Sequence, residues 1–221
     1  LVLNEAIATL PKLSVRQRKS IAVCFFIRYT RYVGPLNTAA YYATLVQSLT
    51  PFADMLSGRA ADYQHIQSTG AGSISAFSLE LGAAFSEVAR GLFTTGFTED
   101  QVPENIRGFF DDSEVFVPCI RDQQKLQINA QSRQGVIELA NIKDIDSNAL
   151  DNLSKIGLMS YADIQSEMES AVPGMKTIFE RWNNDSTRLK NFELTSVGIA
   201  IGHSYWRQVT GISDAPLDIW L

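Results

Sequence analysis

Apolar residues return at helical spacing along most of the chain. Leu3, Ile7 and Leu10 share one face of a helix that Pro11 ends. Ser14 followed by Gln17 has the spacing of a capping box. The stripe Ile21, Cys24, Phe25, Arg28 and Tyr29 then predicts a helix over 14–32. Gly34-Pro35 breaks it, and Asn37 is placed to cap a third helix with Tyr41, Leu45, Leu49 and Phe52 on one face. Ser75 is expected to cap a long helix carrying Leu79, Leu81, Phe85, Val88 and Leu92. Thr98 with Gln101 opens a short helix, and Lys125–Asn129 alternates like a strand. Helical spacing resumes through Val136, Leu139 and Ala140. Further helices are expected from Ser147 to Gly157, from Ser160 to Val172-Pro173 and from Gly174 to Trp182. Phe192-Glu193-Leu194 reads as a strand. Thr195 caps a last helix with Val197, Ile201, Tyr205 and Val209 on one stripe, ending near Thr210. The apolar tail Asp218–Leu221 is expected to dock.

The predicted fold is mainly α. A helical bundle over about 1–120 is followed by a winged-helix-like module over 121–221, with a helical insert at about 160–190. The module reading rests on a helix ending at Gly157, an expected strand over 157–160, a return strand at 190–194 and the Thr195-capped helix. The pairing of 157–160 with 190–194 would form its short β-hairpin. The first helix starts at Leu1 without a cap, so the natural protein is expected to extend upstream, and upstream sequence or another chain to cover Leu3, Ile7 and Leu10.

The composition limits what such a fold can do. The 221 residues are 45% hydrophobic, enough for a sizeable core, and 19% charged with a formal net charge of −5. A negative balance disfavours general nucleic-acid binding, which wants a basic face. Arg16, Arg18 and Lys19 form a local basic cluster that reads as a solvated helix face, with contact to nucleic acid or an acidic partner as the alternative. Cys24 and Cys119 sit in apolar surroundings and read as buried free thiols. With no membrane-length apolar run and no signal peptide, a cytoplasmic protein without membrane contact is expected.

Candidate chemistry is sparse. His65 and His203 are the only histidines. Asp62-Tyr63-Gln64-His65 is the most distinctive polar stretch. Asp62 and His65 stand three apart and would share a helix face, as a hydrogen-bonded structural pair or, with further ligands, as part of a metal site. Neither an HExxH motif nor paired CxxC motifs are present, so no metal is expected. His203, with Ile199 and Trp206, lies away from the Val197–Val209 stripe and reads as a packing residue. Gly70, Gly72, Ser73 and Ser75 precede a predicted helix, where glycines can cradle an anion; without a following Lys or a clear preceding strand the loop matches no nucleotide motif, and no cofactor is expected. Gly198 and Gly202, four apart, suggest close approach of another helix. There is no GxSxG elbow, and no catalytic residue is assigned.

The blocks Leu3-Asn4-Glu5-Ala6, Pro11-Lys12-Leu13-Ser14, Phe26-Ile27-Arg28-Tyr29-Thr30, Asp62-Tyr63-Gln64-His65 and Leu194-Thr195-Ser196-Val197-Gly198 resemble those of an uncharacterised bacterial protein family. Members of that family carry a further helical segment before the part represented here. The closing helix-strand-strand-helix pattern is similar to that of the Abi-alpha proteins, which implies a place in phage abortive infection or stress response. No catalytic residue follows from either resemblance. The expectation is a non-enzymatic interaction module with a protein partner or self-association. The alternatives are weak nucleic-acid binding through the winged helix, or a hydrolase using His65.

Overall fold

The structure, a computed structural model, describes residues 1–32 and 34–212; the expected docking of Asp218–Leu221 lies outside the described residues. The helices are α1 (Val2–Thr9), α2 (Val15–Tyr29), α3 (Thr38–Ala53), α4 (Ala60–Ser68), α5 (Leu81–Val88), α6 (Arg133–Lys143), α7 (Ser147–Leu153), α8 (Tyr161–Ala171), α9 (Met175–Asn183) and α10 (Ser196–Thr210). The strands are β1 (Gly72–Ile74), β2 (Phe116–Pro118), β3 (Leu126–Ile128) and β4 (Phe192–Leu194). The fold is mainly α with two short antiparallel strand pairs among the described residues. Two compact units form. The first is Leu1–Thr30, Tyr42–Leu81 and the chain from Met168 onwards; the second is Arg31–Tyr41 and Gly82–Glu167. Neither is a contiguous run, whereas the sequence pattern divides the chain near 120.

The first unit is built on the crossing of α2 and α10. The Ser14–Gln17 capping box starts α2: Gln17 N–H donates to Ser14 Oγ (3.3 Å) and Ser14 N–H to Gln17 Oε1 (2.9 Å). Thr195 Oγ1 accepts from Gly198 N–H (3.2 Å) at the head of α10. Gly202 allows the crossing, because a Cβ there would lie 2.7 Å from Phe25 Cβ and 3.1 Å from the Ile21 carbonyl. A Cβ on Gly198 would lie 1.8 Å from the Ala71 carbonyl oxygen, so that glycine seats α10 against the loop before β1. Both glycines therefore serve close packing, although only Gly202 meets a helix. The approach also decides which face of α10 is inside. Ile199, His203 and Trp206 are buried, while Val197 and Tyr205 are half-buried and Val209 is exposed. Ile201 of the expected Val197–Val209 stripe is buried as well, so the stripe is corrected only at Val197, Tyr205 and Val209, which the adjacent face leaves partly or fully outside.

β4 pairs antiparallel with β1, Gly72 opposite Leu194 and Ile74 opposite Phe192. The pairing expected between 157–160 and 190–194 does not form. Leu158 instead bridges Thr94, with Thr95 N–H donating to the Gly157 carbonyl (2.8 Å) and Met159 N–H to that of Phe93 (2.8 Å). The winged-helix reading is corrected accordingly, since its two strands find other partners. The short hairpin that does form is β2–β3, and β3 coincides with the alternating run at Lys125–Asn129.

The second unit packs α6 and α7 together, and its core includes Phe97, Ile106, Phe116, Val136, Leu150 and Leu153. Asn37 Oδ1 accepts from Ala40 N–H (3.0 Å) at the start of α3. α7 is capped by Asp146, whose Oδ1 accepts from the N–H groups of Asn148 (2.9 Å) and Ala149 (3.3 Å). It ends at Leu153 rather than Gly157, which turns the chain at φ +72°.

Candidate functional site

Asp62 and Tyr63 are inside and Gln64 and His65 are outside, because α4 turns successive residues to different faces. The Asp62 carboxylate accepts from Arg59 Nε (3.1 Å) and Nη2 (3.0 Å), from Gln17 Nε2 (3.3 Å) and from Ser57 Oγ. The Tyr63 hydroxyl donates to the Ser57 carbonyl (2.9 Å) and stands 3.4 Å from Ser20 Oγ. Burial pushes the Tyr63 phenol far above its ordinary range. A polar network thus ties α4 to α2, with Gln17 serving both as cap and as partner of Asp62.

His65 is not part of the network, and among the described residues no hydrogen bond or ion pair joins it to Asp62. The expected Asp62–His65 pair is corrected: Ser57, Arg59 and Gln17 take up the carboxylate, and His65 faces solvent. His203 is 2% exposed and meets Phe25 edge-on, ring centroids 5.5 Å apart. The two histidines therefore belong to different environments, one exposed and one buried against Phe25. Among the described residues no three His, Cys, Asp or Glu side chains gather where they could hold a metal ion.

The Gly70–Ser75 loop is occupied by its own backbone. Gly70, at φ +79°, ends α4 with its N–H on the Gln67 carbonyl (3.0 Å), and Ala71 N–H reaches back to that of Ile66 (3.3 Å). That pair of bonds is the Schellman motif. Gly72 and Ser73 lie in β1, where a Cβ on Gly72 would strike the Phe192 ring at 2.3 Å. Ser75 N–H donates to the Asn191 carbonyl (2.8 Å), and its Oγ accepts from Phe77 N–H (3.1 Å) in a local turn. α5 begins only at Leu81. The expected Ser75 cap and anion cradle are corrected, since the glycines lead into a strand and no helix N-terminus opens there.

The basic cluster is partly spoken for. Arg18 lies over the Tyr205 ring at 5.5 Å, and Lys19 Nζ reaches the Pro51 carbonyl (2.8 Å) and Asp54 (3.2 Å). Buried Cys24 donates to the Phe192 carbonyl (3.3 Å), and its thiol is pushed up to about 12 by burial, against the lowering effect of Arg28. A thiol so rarely ionised is a packing group.

Sequence reasoning missed a charged centre in the second unit. Arg90, 4% exposed, donates to Asp151 Oδ1 (2.8 Å), Ser154 Oγ (2.7 Å) and Glu87 Oε1 (2.7 Å). Arg133 Nε (3.2 Å) and Lys155 Nζ (2.8 Å) also reach Asp151. Burial pushes the Asp151 carboxyl up, but the bonds from Lys155 and Arg133 and the charges of Arg133 and Arg90 outweigh it and hold it below the ordinary range. A lone arginine in the apolar run Val88-Ala89-Arg90-Gly91-Leu92-Phe93 was the legible sign that a buried carboxylate must face it. The space lined by Arg90, Thr94, Gln127 and Ser154 measures about 10 Å³, room for no more than a water-sized molecule. No substrate pocket opens there.

An apolar stripe is exposed as well. α1 packs on α10 through its small residues, burying Ala6 and Thr9. Leu3 (53% exposed), Ile7 (70%) and Leu10 (37%) stand in solvent.

A family model described as ":-like" matches residues 1–221, and the chain belongs to that family. The description attaches no activity to it. No curated protein and no solved structure matches the chain, so the likeness to Abi-alpha proteins finds no support there. No helix among the described residues is long and apolar enough to cross a membrane.

Proposed function

We propose that the protein is a non-enzymatic interaction module, acting in the cytosol, whose contact surface is the outward stripe of α1. The observation that carries this reading is the inversion of α1: Leu3 and Ile7, with Leu10 just past its end, point to water while Ala6 and Thr9 face the protein. Scattered single aliphatics are ordinary on a surface, but three in one helical stripe mark a site of association. Leu3, Ile7 and Leu10 have the spacing of a helix laid against another apolar surface. The charged centres weigh on the same side, because Arg90, Asp62 and Asp151 are engaged in structural bonds. The role in phage defence implied by the sequence resemblance rests on that resemblance alone.

A photo-crosslinking residue at position 7, in the protein expressed in its native cell, tests the proposal. The expected result is one discrete adduct from position 7, abolished by Leu3→Lys, and none from position 142, where Ile142 is 79% exposed on another helix. No adduct from position 7, or equal smears from both positions, would overturn it.

A further inference from the structure

We draw no further inference here: the strongest candidate, the exposed apolar stripe of α1, belongs to the function proposed above, and nothing in the structure shows what covers it.

Discussion

The two units differ in net charge and in the charged group each buries. Among the described residues the first carries 11 Lys and Arg against 8 Asp and Glu, a net +3, and the second carries 8 against 14, a net −6. The first relies on close backbone approach at Gly198 and Gly202 and on a hydrogen-bonded network around Asp62 and Tyr63. In the second, a buried arginine is neutralised by Asp151 and Glu87. Lost charge at Arg90 should therefore be felt in the second unit, and added volume at Gly198 or Gly202 in the first.

The largest effect should come from breaking the charged centre. Asp151→Asn leaves Arg90 buried with only the half-exposed Glu87, and is expected to cost about 3 kcal/mol, the low end for splitting a buried pair. Urea unfolding measures the loss, and hydrogen exchange should show it in α6 and α7 while α2 and α10 keep their protection. Equal loss in both units would remove the contrast. Gly198→Ala tests the other side. A methyl 1.8 Å from a carbonyl oxygen forces backbone to move, with an expected cost of about 2–3 kcal/mol and exchange confined to the first unit. Gly202→Ala should cost less, since its closest approach, 2.7 Å to Phe25 Cβ, is less severe than the 1.8 Å at Gly198.

Acid should separate the units as well. The Asp151 pKa is lowered on folding, so its contribution is fully present above the unfolded value near 3.9 and is lost as pH falls through the lower folded value. Exchange measured between about pH 5 and 2 should open α7 before α10. Loss of α10 first would contradict the assignment of the ionic centre to the second unit.

Smaller effects sharpen the picture of the first unit. Tyr63→Phe removes the hydroxyl from the Ser57 carbonyl and should cost about 1–3 kcal/mol by thermal or urea melting. His65→Ala, next but one along the helix, should change stability by less than about 0.5 kcal/mol, because the imidazole is in solvent. A loss from His65→Ala as large as that from Tyr63→Phe would restore the residue to the network.

The legibility of the sequence varied with the range of the interaction. The caps at Ser14 and Thr195 and the strands at 126–128 and 192–194 were readable, since each depends on side chains within a few residues. The partners of those strands were not readable. Phe192–Leu194 is expected to pair with 157–160 and instead pairs with Gly72–Ile74, more than a hundred residues earlier, where a residue without Cβ leaves room for the Phe192 ring. The same limit hid the candidate site. Asp62 and His65 have the spacing of a pair, but Gln17 from α2 competes for the carboxylate and no local pattern records it.

On its own, the sequence determined the helical class, the position of most elements and the burial of both thiols, because periodicity and capping are local properties of the chain. The tertiary structure decided which faces turned inward. In α1 the small residues Ala6 and Thr9 went inside while Leu3 and Ile7 stayed outside, and in α10 Gly198 and Gly202 brought Ile199, Ile201 and His203 inside with them, because close approach of backbone decides which face is covered. That choice leaves Leu3, Ile7 and Leu10 in water.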